Sequence, residues 1–121
     1  MKLGRKISGG KYKKQRKKKL CERKGLPRVV KLGKKRAKIL RVRGGHEKLV
    51  LLSADIVSII DMKTGKSKTA KIKNVLETPS DRFLARQNVL TKGTIIETDA
   101  GKARITNRPS QEGNVQAVKI D

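Results

Sequence analysis

The chain has 121 residues, of which 33 are Lys or Arg and 10 are Asp or Glu, for a formal charge of +23. Apolar residues make up 35% and aromatics 2%, against roughly 45–50% apolar content in an ordinary globular chain. This length allows one domain plus a tail, and the charge argues against a small enzyme, because such an excess of one sign opposes the compact state and calls for a polyanion.

The chain opens on a basic arm. Residues 1–48 hold 21 of the 33 basic residues and two acids, Glu22 and Glu47, for a net +19; residues 49–121 hold the remaining 12 and eight acids, for a net +4. Between Lys11 and Lys24 the sequence KYKKQRKKKLCERK has almost nothing to bury, so it cannot offset the entropy of ordering. The expected division is an arm over 1–28, disordered when free, and a β domain over 29–121.

From about Val29 the pattern becomes one of short strands and tight turns. Arg36 to Arg43 alternates, with Leu40 and Val42 on one face and Arg41 and Arg43 on the other, and Gly44-Gly45 then breaks it as a hairpin turn does. Leu49 to Ser53 and Ile56 to Met62 are rich in branched apolar residues and read as buried strands. Lys63-Thr64-Gly65-Lys66 is a turn. Ser67 to Val75 alternates, with Ala70 and Ile72 inward and Lys71 and Lys73 outward. Thr78 is placed to cap a short helix, with Pro79 at its first position and Asp81 three residues after the cap; the helix runs to about Gln87 and ends at Asn88. Thr94 to Thr98 and Lys102 to Asn107 flank an Asp99-Ala100-Gly101 turn, and Asn114 to Ile120 follows a second turn over Arg108 to Gly113. Regularly spaced short strands with turn signals between them predict a mainly β fold: a small antiparallel barrel or sandwich with one short helix and an extended basic arm.

Several chemistries are not supported. Gly65-Lys66-Ser67 ends like a phosphate loop, but the first glycine would fall at Ile60; Gly4 and Gly9 have the right separation, but Gly10 follows instead of Lys. Asp55 and Asp61 read as solvated strand ends, not a catalytic pair. His46, the single histidine, has no nucleophile at a suggestive spacing and reads as a surface or RNA-facing residue. Cys21, the single cysteine, cannot make an internal disulfide, and a reducing compartment is the default. One Cys, one His and scattered acids make no metal site, and no cofactor is expected. The longest apolar stretch, Leu49 to Ile60, is interrupted by Asp55 and two serines and is shorter than the about 20 residues a bilayer needs. Lys2, Arg5 and Lys6 precede a Gly-Gly pair and a charge run, so no signal peptide is expected.

The arm is the strong signal. A charge run is commonly a solvated tail, but this one is dense and is punctuated by Gly9-Gly10 and Gly25, which lets lysines and arginines neutralise phosphates while the backbone approaches closely. With Tyr12 and Phe83 as the aromatics, there is no platform for stacking bases, so binding rests on phosphates, RNA shape and the 2′-hydroxyl.

These residues also carry a family resemblance. Lys6-Ile7-Ser8-Gly9-Gly10 before the basic run, Arg41-Val42-Arg43-Gly44-Gly45, and the stretch from Asn88 to Thr98 with Gly101 to Thr106 and Arg108-Pro109 resemble small-subunit ribosomal protein eight of the archaeal/eukaryotic type, in its short archaeal form. His46 stands where that family commonly has Asn, and Glu22-Arg23-Lys24-Gly25 where it usually has Glu-Leu-Gly. The resemblance implies a structural constituent of the small ribosomal subunit, not an enzyme. It would lie in the cytoplasm on the ribosome, bind small-subunit rRNA, touch neighbouring ribosomal proteins and support translation. The residues expected to contact RNA are Arg5, Lys6, Gly9, Gly10, Lys13, Lys14, Arg16, Lys17, Lys18, Arg36, Arg41 and Arg43, with the Gly44-Gly45 turn. A free nucleic-acid chaperone or chromatin-type protein would show the same charge without stoichiometric association with ribosomes. A membrane-surface role lacks the amphipathic pattern it needs, and an RNA-cutting enzyme lacks an acid–base pair.

Overall fold

The computed structural model describes residues 4–13 and 15–120. Three strands come first: β1 (Lys31–Leu32), β2 (Arg36–Arg41) and β3 (Glu47–Ala54). β3 lies in the middle of this sheet, parallel to β1 and antiparallel to β2. The next five strands, β4 (Ile56–Ile60), β5 (Ser67–Glu77), β6 (Ile95–Thr98), β7 (Gly101–Ile105) and β8 (Gln116–Lys119), close into a barrel in chain order. A short helix, α1 (Arg82–Arg86), connects β5 to β6. The mainly β fold with a small barrel and one short helix is the one the turn spacing predicts.

The barrel has a parallel seam. Each consecutive pair from β4 to β8 is antiparallel, and Ser58, Ile59 and Ile60 of β4 then pair in parallel with Gln116, Ala117 and Val118 of β8. In a meander of five strands the first and the fifth point the same way. Closing it, which removes its edges, therefore requires one parallel ladder.

Each barrel strand has a filled side and a wet side. In β4, Val57 and Ile59 are buried while Ile56 and Ile60 are 50% and 42% exposed. The reading of Leu49 to Ser53 and Ile56 to Met62 as buried strands is corrected in part: Val50 and Leu51 are buried, but Leu49 beside them is 45% exposed, Ile56 to Ile60 alternates, and Met62 lies in the turn beyond β4 in solvent. A run of apolar residues does not distinguish a strand buried on two faces from one with an apolar outer face.

β5 begins as its alternation predicts, with Ile72 buried and Lys71 and Lys73 exposed. A register shift against β6 between Ile72 and Asn74 then brings Val75 inward, where strict alternation would put Asn74. The helix cap is also corrected. Asp81, not Thr78, caps α1, its Oδ1 accepting from the Phe83 N–H at 2.9 Å. Thr78 is buried and its hydroxyl has no partner. The helix ends at Arg86 with Gln87 as its C-cap, and Asn88 follows in the left-handed region at φ 53°, as expected of an Asn that stops a helix.

One core serves both sheets. Val57, Ile59, Ile72, Ile96, Ala103, Ile105 and Ala117 fill the barrel, and Leu51 and Ala54 of β3 join them with Val30, Leu90 and Val115. β1 is tied beside the helix exit by Leu32 N–H to the Asn88 carbonyl at 2.9 Å and Leu90 N–H to the Val30 carbonyl at 2.8 Å. Just before Val30, the Arg28 guanidinium donates to the Ser110 carbonyl at 2.8 Å. N-terminal to Arg28, every described residue from Gly4 to Pro27 is exposed.

Candidate nucleic-acid interface

The residues expected to contact RNA fall into two groups, the arm and the β2–β3 hairpin. In the arm, Arg5, Lys6, Gly9 and Gly10 come together in one tight turn. The Gly9 N–H donates to the Lys6 carbonyl and the Lys6 N–H to the Gly10 carbonyl, both at 2.9 Å, and Arg5 pairs with Lys11 across the turn. The Arg5 guanidinium donates to the Gly9 carbonyl at 3.4 Å, and the Lys6 ammonium stands 5.7 Å from the centre of the Tyr12 ring. Three cations, Arg5, Lys6 and Lys11, are thereby held within a few residues of exposed backbone.

Lys13, Lys17 and Lys18 are exposed along the arm, and Lys14 lies outside the described residues. Arg16 is engaged within the arm: its guanidinium is 2.7 Å from Glu22, which also accepts from the Lys19 N–H at 3.0 Å. Arg16 and then the Lys19 amide hold the Glu22 carboxyl below its ordinary value of 4.5. The arm's acid is thus ionised and satisfied locally, and the surrounding lysines remain available to a polyanion.

The hairpin displays the second group. Arg36 and Arg41 stand at the two ends of β2, paired with Ser53 and Glu47. Cross-strand partners share a face, and the register shift between Arg36 and Ala37 keeps Arg36 on the face of Ala37, Ile39 and Arg41. Lys38 lies on the other face beside Leu40, with Lys48 and Val50 across from them. Arg43 was expected to continue the strand; it lies instead in the Arg43–Gly45 3₁₀ turn. Gly44 and Gly45 have φ of 77° and 78°, a region where an L side chain is strained, and the Val42 N–H to His46 carbonyl bond of 2.8 Å closes the turn beneath them. The expectation of a glycine-dependent hairpin here is met.

The structure adds cations that the sequence reading did not single out. Lys34 and Lys35 lead into β2, and Lys48 lies across from Leu40 with its ammonium donating to Gln111 at 2.6 Å. Between residues 34 and 48 there are seven basic residues and one acid, Glu47. The run Lys34-Lys35-Arg36-Ala37-Lys38 carried that signal in plain sight. β2 is also the outer strand of its sheet, where charges keep foreign strands from pairing. Among the described residues, no hydrogen bond or ion pair links the arm group to the hairpin group. The described residues contain no cluster of three or more His, Cys, Asp or Glu that could hold a metal, and no helix long and apolar enough to cross a membrane. Cys21 and His46 are both exposed.

Comparison with known proteins covers nearly the whole chain. The sequence model of one family, ribosomal protein S8e, matches residues 1–120. A small ribosomal subunit protein eS8 of Methanocella arvoryzae is 40% identical over 116 residues, covering 96% of this chain and 93% of that protein. Proteins of the same name from Pyrobaculum aerophilum and Nanoarchaeum equitans are 42% and 40% identical, covering 97% and 94% of this chain and 91% and 90% of theirs.

Proposed function

The chain belongs to the ribosomal protein S8e family, and from that premise we propose that it binds small-subunit rRNA and supports translation from the ribosome in the cytoplasm. As a ribosomal protein it is a structural constituent of the small subunit, not an enzyme. The observation that carries the binding reading is the exposure of the cations: the described arm residues from Gly4 to Pro27 are all in solvent, and the hairpin presents seven more basic residues. The arm, residues 1–28, is disordered in the free protein and orders on rRNA, where its lysines offset repulsion between phosphates of packed helices. The β domain, residues 29–121, fixes its place through Arg36, Arg41, Arg43 and the Gly44-Gly45 turn. Arg5, Lys6, Gly9, Gly10, Lys13, Lys14, Arg16, Lys17 and Lys18 are the arm's contacts, and neighbouring ribosomal proteins meet the remaining surface.

Salt dependence tests this reading. If about six to ten phosphates are neutralised, affinity for small-subunit rRNA falls on the order of a thousandfold or more between about 50 and 200 mM salt. Deleting residues 1–24 flattens the slope and leaves the melting transition of the β domain in place. In the free full chain, amides of residues 5–24 exchange without protection apart from those bonded in the local turns at Lys6–Gly10 and Lys19–Arg23. An unchanged slope after the deletion would remove the arm from the interface, and protected amides throughout residues 5–24 would remove its disorder.

A further inference from the structure

The junction between the two sheets holds a cavity that the phosphate contacts leave unused. β3 passes into β4 through a bend at Asp55, and a cavity of about 180 Å³ lies there. Buried Leu51, Ala54 and Val115 form its apolar floor, and exposed Lys35, Ile56, Ser58 and Asn114 form its rim. An apolar cavity of about 150 Å³ accommodates a benzene ring, so this one has room for the six-membered ring of a base.

Asp55 and Asn114 bring an acceptor and a donor to the cavity. The Asp55 side chain is without a hydrogen bond, and its Oδ1 is buried, a costly state for a carboxylate oxygen. Lys35 lines the same cavity but forms no ion pair with it. Asn114 accepts from the Asn107 side-chain amide through its carbonyl at 2.9 Å and its Oδ1 at 3.4 Å, which leaves its own side-chain N–H groups as free donors.

The chemistry of these groups selects a ligand. A phosphate is repelled by Asp55. A divalent cation would find a single carboxylate on this cavity and would have to keep most of its waters, since the described residues offer no acidic cluster. A base edge that pairs adjacent N–H donors with an acceptor satisfies both Asp55 and Asn114. We propose that the cavity receives one unpaired guanine of the bound RNA, the Asp55 side chain turning so that its buried Oδ1 faces the cavity and its carboxylate accepts from the base's N1–H and N2–H, while the base's O6 accepts from Asn114. Among the bases, guanine places two donors side by side on its Watson–Crick edge. Tyr12 and Phe83 do not line the cavity, so selectivity comes from edge hydrogen bonds instead of stacking. Lys35 is contiguous with Arg36 and extends the basic hairpin to the cavity rim, so the nucleotide's phosphate has cations at hand. The proposal rests on the rRNA-binding reading and adds a base-specific contact to it.

The test follows backbone amide shifts of the nitrogen-labelled full chain as GMP, AMP, CMP and UMP are added separately. GMP is expected to move the amides of Asp55, Ser58 and Val115 and to bind about ten- to hundredfold more tightly than the other three, the discrimination of a bidentate base contact. Asp55→Asn, which exchanges one acceptor for a donor, is expected to abolish that preference while the melt stays native. Should that variant fail to fold, the four nucleotides on the unaltered protein still decide. Equal shifts with all four, or shifts confined to the hairpin, mean phosphate contact only and overturn the proposal; so does an unperturbed cavity. In those cases rRNA binding with its steep salt slope stands alone, whereas loss of that slope in the full chain removes the reading beneath it.

Discussion

Replacing Gly45 with Val isolates the cost of one backbone conformation. Gly45 sits at φ 78°, and a Cβ built on it would meet nothing within 4 Å. The Cβ itself therefore meets no clash, and the penalty is chiefly that of holding a β-branched residue in the left-handed region, about 1–3 kcal/mol. For a domain of about 60–100 residues, each kcal/mol lowers Tm by about 4–8 °C, so a drop of at least several degrees is expected if the turn keeps its shape. If the tip opens instead, the midpoint holds and the strain appears at the Val42 N–H, whose bond to the His46 carbonyl closes the turn; that amide then exchanges faster and rRNA binding weakens as Arg41 and Arg43 lose their placement. Gly45→Asn is the control, because Asn tolerates positive φ, and it should cost well under half as much. Lys18→Ala is the contrast: Lys18 is exposed in an arm where Lys13, Lys14, Arg16, Lys17, Lys19, Arg23 and Lys24 can share its work. Thermal melts, amide exchange and rRNA binding on the three variants separate these outcomes. A Gly45→Val protein with native melt, exchange and binding, beside a Lys18→Ala protein that fails to enter the subunit, would refute the division into a shaped anchor and a redundant arm.

The other predictions concern local details. Asp81→Ala should destabilise by about 0.5–2 kcal/mol through loss of the cap on α1, whereas Thr78→Val, which removes a buried hydroxyl without a partner, should be neutral or stabilising; urea melts that reverse this order would restore Thr78 as the cap. The Asp61 carboxyl accepts from the Lys63 N–H at 3.0 Å, and that bond holds it below its ordinary value of 3.8, with Lys119 and Thr64 assisting against desolvation. Its folded-state pKa is depressed, so the stability it contributes is present above the unfolded value and is lost as pH falls through the folded one. A side-chain titration of Asp61 by NMR should give a midpoint below 3.8, and a midpoint above that would contradict the turn geometry. Cys21→Ser and His46→Asn alter exposed residues and should each change stability by less than about 0.5 kcal/mol; loss of bound zinc or of ribosome incorporation in either would contradict the absence of a metal role.

Much of the candidate binding surface was legible because charge density is a property of composition. Arg36 and Arg41 could be placed on a strand from its alternation, and Gly44-Gly45 at a turn from its glycines. Lys34, Lys35 and Lys48 join them only once β2 lies beside β3, and no pattern in the sequence links Asp55 to Asn114 or shows that a cavity lies between the sheets.

Local chemistry, written in the sequence, decided where strands, turns and the arm would be: side-chain period, glycine at positive φ, and a run of lysines that cannot offset the entropy of ordering. Tertiary structure decided everything that depends on which strand meets which. Ser58 and Gln116 are far apart in sequence, and their parallel pairing follows from an odd number of strands closing on itself. Val75 is buried because the β5–β6 register shifts between Ile72 and Asn74, and Asp81 displaced Thr78 as the cap because Thr78 was drawn into the interior. Pairing between distant segments is set by the common core they bury, and a hydrophobic pattern read along one segment contains no record of its partner.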